Sequence, residues 1–208
     1  MPTTKHRTAS VARNPVRTRE RILTAALREF AAHGFAGARM DAISRRARSN
    51  KRMLYHYFGD KAGLFQKALH KKISHRAAIA DTYPKAAADR LAAWFLATCA
   101  DKEWVRILCW EALQLTENRP VDGAARRRLA LAHVTDIRHQ QKSGEFNSKT
   151  DAAFALLAMM SLAQFPQAFP QLTRLISGRP VNDPQFQRDY AAFLKQIAAV
   201  FRPVKATK

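Results

Sequence analysis

Residues 49–61 read Ser-Asn-Lys-Arg-Met-Leu-Tyr-His-Tyr-Phe-Gly-Asp-Lys, and the organisation of the whole chain can be worked out from them. Asn50 is a favourable N-cap, because its side-chain oxygen can accept a backbone N–H of the turn that follows. Residues 51–58 then predict about two helical turns in which Leu54 and Phe58, four apart, share one buried face. The remaining sides carry two cations, a phenol and an imidazole, which suit an acidic, hydrogen-bonding partner: Lys51, Arg52, Tyr55 and His56.

A second short helical pattern lies immediately upstream, from Met40 to Ala47. Ile43 and Ala47 fall on its inner face, and residues 48–49 form the break before the next helix. A short helix, a tight turn and a second short helix with an exposed polar face make up a helix-turn-helix, whose second helix enters the DNA major groove. The sequence therefore predicts a DNA-binding motif at residues 40–58.

Two longer helices flank this motif. Thr18 caps the first, which runs to about His33, and Gly34 ends it as a left-handed residue after which Phe35 folds back on the last turn. Asp60 caps the helix that follows the motif. Both helices carry apolar stripes at helical spacing that supply one small core: Ile22, Leu23, Ala26, Leu27 and Phe30 in the first, and Leu64, Phe65, Ala68, Leu69 and Ile73 in the second.

Pro84 marks a boundary in the chain, and the remainder is also predicted to be helical. Breaks at Pro and Gly residues, Pro166 among them, separate the expected helices. These span about 86–100, 102–117, 122–142, 150–166, 168–177 and 184–202. Period-2 alternation is almost absent, so we predict an all-α protein with a disordered basic arm at 1–17, a helix-turn-helix DNA-binding domain at 18–75 and a helical-bundle domain at 76–208.

The charge distribution indicates a polyanionic partner for the N-terminal part. The chain carries 36 Lys and Arg against 16 Asp and Glu, a net charge of +20. Residues 1–75 hold 17 of the basic and only 4 of the acidic residues, whereas residues 76–208 hold 19 and 12. Most of the excess charge therefore lies in about a third of the chain, as expected of a domain that binds nucleic acid.

Several other classes of protein are disfavoured. Cys99 and Cys109 lie in apolar helical patterns without zinc spacing, so we interpret them as reduced packing residues, with a redox or regulatory pair as the alternative. No nucleophile–base pair, metal cluster or phosphate loop is recognisable, so we expect neither a cofactor nor an enzyme. No apolar run approaches the ~20 residues of a membrane span. The first 17 residues have some likeness to a transit peptide, but a DNA-contacting arm is the simpler interpretation, and a cytoplasmic protein is expected.

Two segments resemble the TetR (tetracycline-repressor-like) family of transcriptional regulators. Residues 18–35, Thr-Arg-Glu-Arg-Ile-Leu-Thr-Ala-Ala-Leu-Arg-Glu-Phe-Ala-Ala-His-Gly-Phe, are similar to the first helix of that family. Residues 54–61, Leu-Tyr-His-Tyr-Phe-Gly-Asp-Lys, followed by Leu64 and Phe65, resemble its recognition helix and the start of its fourth helix. The likeness covers roughly residues 18–70. A further stretch, from Ala168 to Gly178, is similar to some AcrR-like members.

The chain departs from the family at the turn of the motif. The family usually has Gly-Val-Ser there, where this chain has Arg48-Ser49-Asn50. A non-glycine residue in the left-handed conformation that Gly allows costs roughly 1–2 kcal/mol. Arg48 either accepts that cost while directing its cation toward a phosphate, or the turn takes another shape.

The predicted DNA-contacting residues have distinct roles. Lys51 and Arg52 sit at the N-terminus of the reading helix, where Arg52 could contact a guanine bidentately. Tyr55 can donate to a phosphate, as the matching tyrosine of the family commonly does. Alternatives remain open for others: Met53 touches a thymine methyl or joins the core, and Tyr57 contacts phosphate or packs on the first helix. His56 is a neutral contact, Lys61 is a phosphate contact at a helix N-terminus, and Arg39 and Arg45 reach phosphates or remain solvated.

The resemblance also implies functions for residues 76–208, namely effector binding and dimerisation. Bulky aromatic residues in such helices are usually core, but the family encloses an apolar effector pocket there. Candidate ligand-binding residues are Trp94, Phe95, Trp110, Leu113, His133 and Met159. The last two long helices pair with their symmetry mates in the family, with candidate interface residues Phe154, Leu157, Phe165, Phe193 and Ile197. The Arg126-Arg127-Arg128 run is interpreted as a solvated or partner-facing patch.

The resemblance implies a homodimeric, ligand-responsive regulator, most often a repressor in this family, that binds a palindromic operator and is released from it by a small effector. A sequence-nonspecific DNA-packaging protein is the alternative that the net charge alone would support. An enzyme that uses the C-terminal pocket is a third, poorly supported hypothesis.

Overall fold

A computed structural model describes residues 14–114 and 120–202, which contain α-helices and short 3-10 turns and no strand. The predicted all-α fold is therefore confirmed. The helices are α1 (Pro15–Gly37), α2 (Met40–Arg46), α3 (Lys51–Phe58), α4 (Lys61–Ala78), α5 (Ala87–Ala100), α6 (Lys102–Gln114), α7 (Gly123–Lys142), α8 (Ala152–Ala168), α9 (Pro170–Ser177) and α10 (Pro184–Ile197). The 3-10 turns are Ala80–Thr82 and Ala198–Phe201.

Helix α1 begins four residues before the predicted start. The cap is Asn14 and not Thr18: its side-chain oxygen accepts the backbone N–H groups of Val16 at 3.0 Å and Arg17 at 3.3 Å. Proline suits the first helical position, which needs no donor, so Pro15 starts the helix. The end of the predicted disordered arm is thus helical, while residues 1–13 of that arm lie outside the described residues.

The far end of α1 bends at Gly34 as the sequence predicts. Its φ of 67° and ψ of −177° break the helix, a backbone conformation that glycine adopts without steric penalty. The chain after the bend returns to the core, where the Phe35 ring lies 6.3 Å from Phe30 and 5.5 Å from Phe65 between ring centroids. This return sets the position from which α2 starts.

Helices α1 to α4 enclose one apolar core. Its fully buried members include Ile22 and Phe30 of α1, Ile43 of α2, Leu54 of α3 and Leu64 of α4. The junction of α3 and α4 is close enough to need a glycine, because a Cβ on Gly63 would lie 2.2 Å from the carbonyl oxygen of Phe58. The helix-turn-helix therefore sits on a rigid base.

Helix α6 also belongs to this core, which the sequence did not suggest. Ile107 of α6 is fully buried among the side chains of α1 and α4. Arg106 donates from Nε to the carbonyl oxygen of Ala31 at 2.9 Å, and Trp110 donates from Nε1 to the same oxygen at 3.3 Å. The predicted division at residues 75 and 76 falls within α4, so packing is continuous between the two parts of the chain.

A second apolar core joins α5, α7, α8 and α10, and it explains why the predicted end of α8 at Pro166 is wrong. Proline removes the N–H that would bond the carbonyl four residues earlier. That carbonyl, of Leu162, instead accepts the hydroxyl of Tyr190 from α10 at 3.0 Å. Because the orphaned acceptor is satisfied, α8 continues to Ala168.

Cys99 is buried and Cys109 half-buried, and both are free thiols. Burial raises the pKa of the Cys99 thiol, which keeps it in the neutral, poorly nucleophilic form.

In the described part of the chain no single helix is both long and apolar enough to span a membrane. Helices α8 and α9 reach the required length and apolarity only when taken together, as a pair bent by 90°.

Candidate nucleic-acid interface

Helix α3 has the predicted buried and exposed faces. Asn50 caps it, accepting the backbone N–H of Met53 on Oδ1 at 2.8 Å. Leu54 has no exposed surface and Phe58 is also buried, whereas the intervening Tyr55 is 44% exposed. Lys51, Arg52 and His56 are exposed as well. The polar side of α3 is therefore held toward solvent by two apolar anchors.

The turn before α3 keeps the left-handed geometry despite the arginine. Arg48 has a φ of 47°, in the region where the family places glycine. The backbone N–H of Ser49 donates to the carbonyl oxygen of Ser44 at 3.0 Å, which closes the turn on α2. Of the two possibilities left open by the sequence, the structure has the strained turn, with the Arg48 side chain exposed.

We expect Arg48→Gly to separate stability from DNA affinity. Relief of left-handed strain gains roughly 1–2 kcal/mol, and the greater unfolded-state freedom of glycine removes roughly 0.5–1 kcal/mol, for a small net stabilisation. Loss of the cation should at the same time weaken DNA binding and reduce its salt dependence. Thermal unfolding and titration with a labelled duplex measure the two effects. Arg48→Lys, which keeps both strain and charge, is the control, and a Gly variant that is less stable or binds more tightly would contradict this account.

Lys51 is held by an ion pair within the motif. Its Nζ lies 3.0 Å from Oδ1 of Asp41 in the first turn of α2. The hydrogen bond with Asp41 and the attraction of its charge raise the pKa of Lys51, so the side chain stays protonated. This pair orients the N-terminus of α3 against α2. An ammonium has three donors, so Lys51 can retain Asp41 and still approach DNA.

Arg52 and His56 occupy the open part of the α3 surface. No acidic side chain among residues 14–114 and 120–202 pairs with Arg52. Its guanidinium therefore has no internal ion pair to break before it contacts a partner. The imidazole of His56 meets the ring of Tyr57 at 5.3 Å between centroids, with the two planes inclined by 60°. No group of three or more His, Cys, Asp or Glu side chains that could hold a metal ion occurs among the described residues.

A crevice of about 340 Å³ brings the N-terminus of α1 alongside the helix-turn-helix. Three cations from different elements line it: Arg21 of α1, Arg45 of α2 and Arg48 of the turn. Arg21 was not among the predicted contacts; its place beside Arg17, four residues earlier on the exposed side of α1, was the available signal. Converging cations on one face favour a phosphate backbone.

The remaining predicted contact residues lie in different surroundings, some exposed and some already bonded within the protein. Met53 and Tyr57 are half-buried and line the crevice, and the Tyr57 ring packs on the N-terminal core. Arg39 has an exposed side chain. Lys61 is already engaged: its Nζ donates to the carbonyl oxygen of Ala36 at 3.0 Å and lies 5.1 Å from the centroid of the Phe35 ring. Lys61 therefore fastens α4 to the last turn of α1, after the bend at Gly34.

Glu29 positions the helix-turn-helix, a role that periodicity could not reveal. It lies on α1, is buried, and accepts the backbone N–H of Arg39 on Oε1 at 3.3 Å. Its Oε2 lies 3.9 Å from the guanidinium of Arg46. One carboxylate thus contacts both ends of α2, which fixes the first helix of the motif on α1.

A cavity of about 180 Å³ lies among α4, α5, α6, α7 and α8. Of the predicted ligand-binding residues, Trp94 and His133 line it and the other four do not. Phe95 and Met159 are buried in the C-terminal core, Trp110 bonds to α1, and Leu113 is 76% exposed. The residues found there instead include Ile73, Arg76, Ala80, Tyr83, Thr98, Trp104, Leu108, Arg126, Leu129, Ala130, Met160, Ala163 and Gln164.

Arg126 also departs from the solvated role assigned to its arginine run. It is half-buried, and its guanidinium lies 2.6 Å from Oε2 of Glu111, a buried residue of α6. The other carboxylate oxygen of Glu111 accepts the backbone N–H of Val121 at 3.0 Å. The pair fastens the start of α7 to α6 beside the cavity.

Large apolar side chains are exposed on α8, α9 and α10. We refer to these residues as the α8–α10 apolar face: Phe154, Leu157, Phe165, Phe169, Leu172, Leu175, Ile176 and Phe193. Of the five predicted dimer residues, four belong to this set, while Ile197 packs partly on the C-terminal core. A concentration of exposed apolar side chains is typical of a surface that contacts a partner.

Two sequence-family models match parts of this chain. Residues 22–68 match the sequence model for bacterial regulatory proteins of the tetR family, and residues 88–199 match that of the tetracyclin repressor-like C-terminal domain. The HTH-type transcriptional repressor SCO4008 of Streptomyces coelicolor is 33% identical over 170 residues, which cover 80% of this chain and 87% of that protein. The HTH-type transcriptional repressor NicS of Pseudomonas putida is 53% identical over 49 residues, 24% of this chain and 23% of NicS.

Solved structures show the same fold. SCO4942 from Streptomyces coelicolor superposes with a TM-score of 0.75 at 23% identity, over 88% of this chain and 98% of that one. GusR from Salmonella enterica superposes with a TM-score of 0.67 at 19% identity, over 90% of this chain and 96% of that one.

Proposed function

This chain belongs to the TetR family of bacterial transcriptional regulators, and on that premise we propose that it is a homodimeric repressor that binds a palindromic operator and is released by a small effector. In this proposal α3 reads the bases, the crevice cations hold the phosphate backbone, and the cavity in the C-terminal part receives the effector. The protein would act in the cytoplasm, where its DNA is, and without catalysis.

The observation that carries the proposal is that α3 has one buried side and one exposed side. Leu54 and Phe58 hold the helix against a rigid core, so the exposed side cannot turn inward. That side presents Arg52 without an internal ion pair among the described residues, next to Tyr55 and His56. An arginine near the N-terminus of a groove-entering helix suits the O6 and N7 acceptors of guanine. The proposed backbone contacts are Arg39, Arg45, Arg48, Lys51, Tyr55, Tyr57 and Lys61, with Met53 toward a thymine methyl.

The α8–α10 apolar face supports dimerisation through a second copy of the chain. Phe154, Leu157 and Phe165 project from one helix and Phe193 from another, all exposed in the single protomer. Two α-helices from each copy can bury such surfaces in an isologous four-helix contact. A two-fold axis through that contact would set two α3 helices against two half-sites, which requires a palindromic operator.

Two helices that line the cavity also belong to or contact the DNA-binding part. They provide a route by which binding of an effector would release the operator. Helix α4 carries Arg76 at the cavity and belongs to the N-terminal core. Helix α6 carries Trp104 and Leu108 at the cavity, and Arg106 and Trp110 bond from it to the end of α1. An effector that shifts α6 would therefore move α1. Release of the operator requires that the effector bind the DNA-free state more tightly than the DNA-bound state. A coupling free energy of about 1–3 kcal/mol between two such sites is usual.

Selection from a random duplex library tests this function. The full-length protein should enrich one palindromic sequence, and that duplex should resist competition by unrelated DNA. Enrichment of a non-palindromic site would remove the symmetric dimer from the proposal. No enrichment, together with equal affinity for any duplex at low salt, would instead favour a sequence-nonspecific packaging protein, the alternative that the net charge of +20 supports.

A further inference from the structure

One acidic side chain lies at the start of the helix that is proposed to read the bases. Residues 1–75 contain four acidic residues, all within the part of the chain that the structure describes. Glu20 pairs with a lysine of α4, Glu29 is buried against α2, and Asp60 caps α4. Of the four, Asp41 alone lies beside the first residue of α3.

The carboxylate of Asp41 is held in place but not saturated. Its Oδ1 lies 3.0 Å from Nζ of Lys51, the first residue of α3. A carboxylate can accept about four hydrogen bonds, and within the described part of the chain only Lys51 pairs with this one. The Asp41 side chain is 63% exposed. The fold therefore orients an acceptor that is still open to a partner.

This carboxylate would accompany α3 into the major groove. A helix-turn-helix protein places the N-terminal residues of its second helix against the base edges. Lys51 is the first of those residues, so a group within hydrogen-bonding distance of its ammonium comes close to the same edges. This step rests on the proposed function, in which α3 reads the bases.

A carboxylate in the major groove distinguishes the bases by charge. It only accepts hydrogen bonds, so O6 and N7 of guanine and O4 of thymine repel it, whereas the amines of cytosine and adenine can donate to it. Adenine also places the acceptor N7 beside its amine, while cytosine presents its N4 amine alone. Phosphates repel the carboxylate as well, so it adds nothing to general affinity for DNA. Cytosine is therefore the base that suits Asp41 best.

We propose that Asp41 is a specificity-determining residue that accepts a hydrogen bond from N4 of one cytosine in each half-site of the operator. Lys51 holds the carboxylate in position and keeps further donors for the phosphate contact proposed for it. On other sequences the same carboxylate faces acceptors and weakens binding. Asp41 thus separates the operator from other DNA, whereas the arginines around it attract both.

Random-library selection with full-length wild-type and Asp41→Ala proteins tests this inference. The wild type should select cytosine at one symmetric pair of positions, and Asp41→Ala should lose the preference there and keep it elsewhere. In titrations, replacing that C·G pair by T·A should weaken wild-type binding about fivefold or more, the lower end of the usual cost of one mismatched base pair. The same replacement should leave the affinity of Asp41→Ala unchanged.

A second variant, Asp41→Asn, separates a base contact from a role in orienting α3. It removes the charge that pairs with Lys51, but asparagine can bond N6 and N7 of adenine. The preference should therefore move from cytosine toward adenine at the same positions, which loss of orientation alone would not produce. Glu20→Gln is the control for charge, since Glu20 is also exposed and also pairs with a lysine, Lys71. It should select the wild-type sequence.

The possible failures are distinguishable. If the wild type selects a palindrome and Asp41→Ala selects it with the same preferences, the inference alone fails. It also fails if both Asp41 variants lose preference evenly over all positions, because Asp41 would then only orient α3. If the wild type selects no sequence, the proposed function fails and the inference fails with it.

Discussion

The variant Leu157→Arg should be a folded monomer that binds the operator about 10²- to 10⁴-fold more weakly than the wild-type protein, because it loses the gain from two linked half-site contacts. Leu157 is 60% exposed in the protomer, so an arginine can extend into water without disturbing the fold. In the proposed dimer, the same arginine would be a buried charge without a partner. Sedimentation measures the oligomeric state, and titration of the selected duplex measures the affinity.

The control for this variant is Leu131→Arg. Leu131 lies on α7, is 50% exposed and does not belong to the α8–α10 apolar face, so this change adds the same charge at a similar exposure. It should leave both dimerisation and operator affinity close to wild type. A Leu157→Arg protein that remains dimeric, or a Leu131→Arg protein that dissociates equally, would show that dimerisation does not use this face.

Substitutions of two adjacent residues in α3 should differ strongly in their effect on stability. Leu54→Ala removes a fully buried side chain and should lower the free energy of unfolding by about 2–5 kcal/mol. Tyr55→Ala removes an exposed ring and should change stability by no more than about 0.5 kcal/mol, the usual range for surface positions. Denaturant titration measures both values.

The same pair separates a structural residue from a binding residue. In conditions where both variants are folded, Tyr55→Ala should weaken operator binding, because a phosphate donor is lost. Tyr55→Phe, which keeps the ring and removes only the hydroxyl, should reproduce most of that loss. If Tyr55→Ala destabilises the protein as much as Leu54→Ala does, the exposed and buried faces of α3 have been assigned the wrong way round.

Local signals allowed most of the fold to be predicted from the sequence. The cap at Asn50 and the four-residue spacing of Leu54 and Phe58 are properties of adjacent residues, and both are confirmed. The end of α8 was misplaced because it depends on a distant residue. A proline usually stops a helix, and only the Tyr190 hydroxyl, 28 positions beyond Leu162, makes continuation past Pro166 favourable.

The site residues were harder to predict, since neighbouring residues of one helix can face different surroundings. Trp94 lines the cavity, whereas the adjacent Phe95 lies 4.8 Å from the ring of Tyr190 in the C-terminal core, between centroids. Likewise Met160 lines the cavity and Met159 is buried in the core. Periodicity identifies an apolar side of a helix but not the helix that will cover it.

The buried ion pairs also could not be predicted from the sequence. Glu29 on α1 and the pairing of Arg126 with Glu111 depend on contacts between elements far apart in the chain or separated by a turn. A run of arginines at the start of a helix gives no indication that one member will be withdrawn from solvent. Charge composition predicted the partner of the protein, and tertiary packing determines which of the charges remain available to it.

Random-library selection with the Arg52→Ala variant determines whether the exposed side of α3 reads base edges, as we claim. If Arg52 contacts a guanine in each half-site, the selected palindrome should lose its preference at one symmetric pair of positions and keep it elsewhere. The lost discrimination should be about 1–3 kcal/mol per position. Selection of the same palindrome with undiminished preference at every position would contradict the claim.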